Sequence, residues 1–330
     1  METDILIDHC PGTLAKGYST YSRTCLKRVF NNRKVSHILP YEAPNINDET
    51  DALYQDNQKR ISISGVQEKF SVLLEKNKLR LIQEGEQGTY ILKPIPNYGK
   101  KRDQMPANEH LTMQLARQVY DIETAENALI FFKNGAPAYI TKRFDVKADG
   151  TKKAVEDFAT LSGKTPQTHG AHYKYEGNYL ELFALMKRFL PAYKLETPKL
   201  FKLILFNYLF SNGDAHLKNF SVLETPMGDH RLSPAYDLLN TRIHVEDEAF
   251  ALKEGLLPGN LGQTNTAKQF QILAEQIDLS RKQFDTIFRT LLSSAEHVEN
   301  LVQASFLNEK SKRNYLQDYQ TRLKKLQKIN

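Results

Sequence analysis

The hydrophobic pattern of this 330-residue chain shifts between a period near two and a period near four. From Arg60, ISISGVQEKFSVLLEKNKLRLI alternates through β-branched residues, one glycine and a charged turn at Glu75 to Lys78, predicting two or three antiparallel strands. TYILKPIP predicts a further short strand, stopped by Pro94 and Pro96. From Ala107 the period lengthens: Leu111, Leu115 and Val119 recur every four residues, and Met113 and Ala116 widen the apolar face of a helix. ALIFF and PAYITKRF read as a strand pair turned at Asn134-Gly135.

Beyond Asp145 the pattern is mainly helical. GNYLELFALMKRFL and PKLFKLILFNYLF predict two helices, the second apolar nearly all round and therefore buried, ending at Ser211-Asn212-Gly213. A short hairpin, FSVLE to HRLSP, turns at TPMGD. The last seventy or so residues are helical again, with Leu316, Tyr319, Leu323 and Leu326 on one face and basic residues opposite. The opening segment mixes short polar and apolar stretches and closes in the loop-like EAPNINDETD. This order predicts an α+β, bilobal, protein-kinase-like arrangement: an N-terminal extension over 1–55, a small β-rich lobe over 56–145 and a larger helical lobe over 146–330.

Composition narrows the class. Hydrophobic residues are 40% and charged residues 25%, ordinary for a globular protein. No apolar run approaches the roughly 20 residues that span a bilayer, and METDILIDHC lacks a signal-peptide core, so a cytoplasmic protein with no membrane partner is expected. Cys10 and Cys25 are too few for a disulfide scaffold, and with His9 they leave a zinc set incomplete, so buried thiols are expected. Seven basic residues against two acidic ones from Glu309 onward leave that tail with +5 of the chain's +6. The remainder is near neutral, which argues against a nucleic-acid-binding surface.

The strongest local pattern is Asn212-Gly213-Asp214-Ala215-His216-Leu217-Lys218-Asn219. Phosphoryl transfer needs a carboxylate to orient the incoming hydroxyl and oxygen ligands for Mg²⁺, and kinase catalytic loops supply Asp and Asn five positions apart. Asp214 and Asn219 have that spacing after a buried helix and before a hairpin. Ser233-Pro234-Ala235-Tyr236-Asp237 then brings a second carboxylate past the hairpin, where a metal-chelating aspartate is needed. Taken singly, Asp214 reads as a cap and Asp237 as a turn residue; in this order they point to chemistry.

Lys93, in Tyr90-Ile91-Leu92-Lys93, has the place of a strand lysine that pairs the α- and β-phosphates, and Glu109 on the following helix is its candidate partner. Ser64-Gly65-Val66-Gln67-Glu68-Lys69 is the candidate phosphate-covering loop. It has one glycine instead of the three of G-x-G-x-x-G. Gly65 permits close backbone approach and Lys69 could reach phosphate, although alone the segment reads as an ordinary turn.

Together these residues resemble the HipA family of bacterial toxin kinases. The landmarks, from about Arg60 onward, are ISISGVQEKFSVLL, YILKP, Asn108-Glu109, TKRFD, Glu156-Asp157-Phe158, NGDAHLKNFSVL and LSPAYDLLNT. The resemblance implies an ATP-dependent serine/threonine protein kinase with Asp214 as catalytic base and Asn219 and Asp237 as Mg²⁺ ligands. It places Lys93 and the loop Ser64 to Lys69 on the phosphates. It puts the backbone of Lys142 and Phe144 on adenine, Asp145 near the ribose, and His216, Lys218, Asn219 and Tyr236 along the nucleotide. It further implies autophosphorylation at Ser62 or Ser64, the new charge repelling the triphosphate.

The stretch before the kinase core is shorter than in full-length HipA and is more similar to the HipT type of tripartite systems. Implied partners are a HipB-like helix-turn-helix antitoxin, through which alone nucleic acid is contacted, and a HipS-like small protein. The implied substrate is an aminoacyl-tRNA synthetase, whose phosphorylation stalls translation. A rival expectation is a small-molecule phosphotransferase of the aminoglycoside or choline kinase type, because N-G-D-x-H-x-x-N is close to H-G-D-x-x-x-x-N; SISGVQEK and TKRFD argue against it. A different class is a non-catalytic module whose basic tail docks an antitoxin or nucleic acid.

Overall fold

A computed structural model describes residues 6–43, 68–97, 99–147 and 149–328. The chain divides into two compact units, the first formed by residues 1–114, 125–151 and 300–312 and the second by 115–124, 152–299 and 313–330.

The first unit is built on a five-stranded antiparallel sheet in the order β2-β1-β3-β5-β4. Its strands are β1 (Phe70–Glu75), β2 (Lys78–Leu81), β3 (Tyr90–Lys93), β4 (Asn127–Phe131) and β5 (Pro137–Lys142). Alternation fixes the inner face: Phe70, Val72, Tyr90, Leu92, Ile130 and Ile140 are all buried in one core. Helix α1 (Arg23–Phe30) closes that core with Cys25, Val29 and Phe30. Ser22 caps it by accepting the Cys25 N–H, and Asn31 ends it in the left-handed conformation at φ 53°. Cys10 and Cys25 are buried free thiols in the same core. Helix α2 (Met105–Gln118) follows β3.

The second unit carries α3 (Tyr179–Phe189) and α4 (Tyr193–Leu209). Helix α4 begins before Pro198, one turn earlier than a proline-led start would place it. Pro198 only forgoes the bond to the Lys194 carbonyl there. From Leu200 the helix is buried almost continuously, with Phe201 edge-on to Phe270 and Tyr208 stacked on Phe250. The same unit holds a three-stranded antiparallel sheet, β6-β7-β8 (Val155–Asp157, Ser221–Glu224, His230–Leu232). It places the loop between α4 and β7 and the segment after β8 on neighbouring backbone. Helices α5 (Thr266–Gln276), α6 (Arg281–Leu292), α7 (Ala295–Gln303) and α8 (Glu309–Leu326) complete the chain. Tyr315 and Tyr319 of α8 pack on Phe210, so the apolar stripe of the basic tail is a packing face. No helix among the described residues is long and apolar enough to cross a membrane.

Candidate active site

In the second unit, α4 ends at Leu209 and Ser211 takes the left-handed turn at φ 53°. The chain then enters 212–219 in a shape set by its own hydrogen bonds. The Asn212 amide nitrogen donates to Asn207 Oδ1 (3.0 Å) and to the Asp237 carbonyl (3.3 Å), tying the loop to the segment after β8. The His216 N–H donates to the Asp214 carbonyl (2.8 Å), and a 3₁₀ turn, Leu217–Asn219, brings the Asn219 side chain back. Asn219 Oδ1 accepts the His216 N–H at 3.1 Å, while its Nδ2 lies 3.4 Å from Asp237 Oδ2. Asp237 itself is left-handed, at φ 56°. Asn219 and Asp237, eighteen positions apart, are therefore brought side by side, and Asp214 shares their loop.

The Asp214 side chain is solvent-accessible, yet the atoms crowding it hold its pKa above the usual carboxylate value. Loss of hydration is the main cause, and the charges of Asp247 and Asp237 add to it. A hydrogen bond from Tyr175 and the charge of Lys174 oppose it. His216 is buried, and desolvation with Lys174 nearby lowers its pKa to about 3, so its ring is neutral. Among the described residues its Nδ1 has no hydrogen-bond partner, an orphaned acceptor or donor of the kind a ligand satisfies. Lys218 pairs with Asp157 at the end of β6 (2.7 Å), and the Tyr236 hydroxyl donates to the Lys218 carbonyl (2.8 Å).

In the first unit Lys93 ends the central strand β3, 4% exposed, with its Nζ 2.6 Å from Glu109 Oε1 on α2. Glu109 is 2% exposed. The Lys93 ammonium also lies 5.4 Å from the Tyr139 ring. At the end of β5, Lys142 N–H is committed to the Glu126 carbonyl (2.7 Å) and its Nζ to Asn31 Oδ1 (2.6 Å). Asp145 pairs with Arg143 (2.5 Å), and Phe144 lies between them in sequence, half-buried. Glu68 accepts from the Asn97 amide (3.1 Å), and Lys69 precedes β1, half-buried. Ser62, Ser64, Gly65, Val66 and Gln67 lie outside the described residues.

Three neighbours of the loop are not evident from its motif. Tyr175 donates its hydroxyl to Asp214 Oδ1 at 2.7 Å. The Gly213 N–H donates to Thr241 Oγ1 at 3.0 Å, and Thr241 in turn bonds Asp247. The Asp247 carboxylate stands where a Cβ on residue 213 would be, 2.3 Å from that position. Tyr175 leaves a trace in the sequence, since YKYEGNY places it four residues before the buried Tyr179. Thr241 closes the LSPAYDLLNT stretch, and Asp247 leaves no such trace.

A hard cation such as Mg²⁺ takes oxygen ligands, commonly one or two carboxylates completed by phosphate and water. The Asp237 carboxylate suits it, as does Asn219 Oδ1, which keeps a second lone pair beyond the one given to His216 N–H. Among the described residues no group of three or more His, Cys, Asp or Glu could hold a metal alone. A pair that relies on phosphate oxygens fits that finding.

A family model described as the HipA-like C-terminal domain matches residues 61–299. Y4dM of Sinorhizobium fredii, provisionally named a kinase, is 30% identical over 222 residues, 63% of this chain and 51% of that protein. The serine/threonine-protein kinase toxin HipA of Shewanella oneidensis is 25% identical over 223 residues, 62% of this chain and 50% of that one. The match thus covers about half the length of these two relatives. A solved structure of the Shewanella oneidensis toxin–antitoxin complex of HipA, HipB and operator DNA superposes with a TM-score of 0.60 at 20% identity, covering 80% of this chain and 63% of that one. That likeness establishes the fold as HipA-like and kinase-like.

Proposed function

The chain belongs to the HipA-like C-terminal domain family, and from that premise we propose that it is an ATP-dependent serine/threonine protein kinase acting as the toxin of a bacterial toxin–antitoxin system. The observation that carries this reading is the Asn219 amide lying 3.4 Å from the Asp237 carboxylate on the loop that bears Asp214. With the two side chains brought together at one loop, Asn219 Oδ1 and the Asp237 carboxylate would hold the metal of a metal–triphosphate, and the remaining carboxylate, Asp214, would serve the acceptor.

In this reading Asp214 orients the acceptor hydroxyl and takes its proton as the γ-phosphoryl group leaves ADP. Lys93 contacts the α- and β-phosphates, and Glu109 holds its ammonium in place. Asn219 and Asp237 would hold Mg²⁺, which would supply positive charge against the phosphates. Buried neutral His216 and the Lys218 and Tyr236 side chains line the nucleotide. The backbone of Phe144 and the carbonyl of Lys142 face adenine, Asp145 faces the ribose, and residues 64–69 cover the phosphates. Autophosphorylation falls on Ser62 or Ser64 and switches the enzyme off by repelling the triphosphate.

The substrate proposed is an aminoacyl-tRNA synthetase. The partners are a helix-turn-helix antitoxin of the HipB kind and, for the short HipT type, a HipS-like small protein. The relative solved with HipB and operator DNA supports the antitoxin. The test is labelled ATP added with the purified chain to a bacterial lysate: one phosphorylated protein identified as a synthetase is expected. Label appearing on choline or an aminoglycoside, with no protein labelled, would replace this reading with the small-molecule one.

A further inference from the structure

The segment 173–179 of the second unit was not part of the expected site, yet it reaches the central carboxylate. Its anchoring is unusually complete for a largely irregular stretch. The Lys253 N–H donates to the Tyr175 carbonyl (2.9 Å), the Glu254 N–H to the Gly177 carbonyl (3.0 Å), and the Tyr179 N–H to the Gly255 carbonyl (3.1 Å). Lys164 Nζ donates to the Glu176 carbonyl (2.9 Å), and Asn178 bonds Glu254 (2.9 Å). Backbone held at successive residues from both sides cannot drift, so side chains projecting from it are fixed in direction.

Two tyrosines project from this segment onto consecutive residues of the catalytic loop. Tyr179, fully buried, donates to the Ala215 carbonyl at 2.7 Å. Tyr175, four residues earlier, donates to Asp214 Oδ1 at 2.7 Å. Its ring is edge-on to His216 (5.2 Å, 78°) and lies under the Lys174 ammonium (5.0 Å), which leaves the hydroxyl little freedom. A carboxylate has two oxygens, and a phenol bound to one of them leaves the other to face an acceptor.

We propose that Tyr175 is a positioning residue for the Asp214 carboxylate, fixing its Oδ1 and thereby presenting Oδ2 to the hydroxyl that receives phosphate. This deepens the kinase reading and rests on it for the reaction, although the contact itself does not. A phenolic O–H donated to an ionised carboxylate stabilises the charged form, so its removal raises the carboxyl's pKa and loosens its orientation. The charged groups facing Asp214 are Lys174, Asp247 and Asp237; the two acids push in the direction that Tyr175 resists.

Carbodiimide modifies protonated carboxyls, and Asp214 is accessible to it. The experiment follows labelling of Asp214 against pH by peptide mass spectrometry in the full chain, beside the initial rate of γ-phosphoryl transfer from MgATP. Three proteins are compared: the native chain, Tyr175→Phe and Tyr179→Phe. Tyr175→Phe is expected to move the labelling midpoint up by about one pH unit and to slow transfer about tenfold, the worth of a hydrogen bond to a charged group. Tyr179→Phe, which removes a bond to the same loop's backbone, is expected to leave the midpoint in place. An unchanged midpoint in Tyr175→Phe, or an equal shift in Tyr179→Phe, overturns the proposal. Failure of the kinase reading shows separately, as a native chain that labels normally and transfers nothing.

Discussion

Gly213 is required for space, not for backbone conformation. A methyl there would meet the Asp247 carboxylate at 2.3–2.6 Å. That carboxylate cannot simply swing away, because it accepts from Thr241 and from the Glu248 N–H (2.9 Å). Gly213→Ala should therefore cost about 1–3 kcal/mol of stability, as overpacking does, and displace Asp214; denaturant unfolding measures the first effect. The buried pair Lys93–Glu109 behaves oppositely: its problem is charge, not volume. Glu109→Gln removes the Glu109 counter-charge from a buried ammonium and should destabilise the chain by about 3–5 kcal/mol in the same unfolding assay, as breaking a buried ion pair does.

His110 gives a pH signature. It is fully buried, and desolvation lowers its pKa from 6.5 to about 4. Between those values the unfolded chain binds the proton and the folded chain does not, so stability falls as pH drops from about 6.5 towards 4. The loss approaches about 3 kcal/mol by pH 4. His110→Gln should flatten that slope in chemical unfolding compared at neutral and mildly acidic pH.

Among the secondary-structure elements, those with a strong period were legible and those held by tertiary contacts were not. Strands β1 and β2 follow the alternating stretch, β3, β4 and β5 follow short apolar stretches, β4 being buried at every position, and the turn at Asn134-Gly135 joins β4 to β5 as expected. Strand β6 went unread because Val155-Glu156-Asp157 is short and polar, and pairing with Ser221 to Leu223 alone makes it a strand. Helix α1 was missed because its eight residues are flanked by irregular chain and its apolar positions matter only against the sheet. The loop carrying Asp214 and Asn219 was legible from spacing, since a motif fixes side chains near one another in sequence. Tyr175 comes to that loop from 39 positions away, and Asp247 from beyond the hairpin; no local pattern announces such contacts.

Element context also sets a prediction at the loop. Asn219 is held by a 3₁₀ turn through His216 N–H and touches Asp237, which follows β8 of the unit's small sheet. Asn219→Ala should cost about 1 kcal/mol of stability through the lost bond to His216 N–H, and should raise the Mg²⁺ concentration needed for half-maximal transfer by about tenfold or more.

At the scale of the molecule, each unit holds part of the proposed machinery. The first carries the buried Lys93–Glu109 pair, and the second carries Asp214, Asn219 and Asp237. The autophosphorylation proposal makes a further claim on the whole chain: replacing both Ser62 and Ser64 by alanine should abolish incorporation, and phosphopeptide mapping of the single variants should show which serine is used. Full incorporation with both absent would remove the loop switch while leaving the kinase.

The most direct test of the centre itself compares the purified chain with Asp214→Asn, incubated with labelled ATP and Mg²⁺ and followed by label retained on protein. Loss of a general base costs about 10²–10⁴ in rate, so the native chain should label readily and the variant should lag by about a hundredfold or more while unfolding at the same denaturant concentration. A folded Asp214→Asn variant that labels at the native rate would contradict the account.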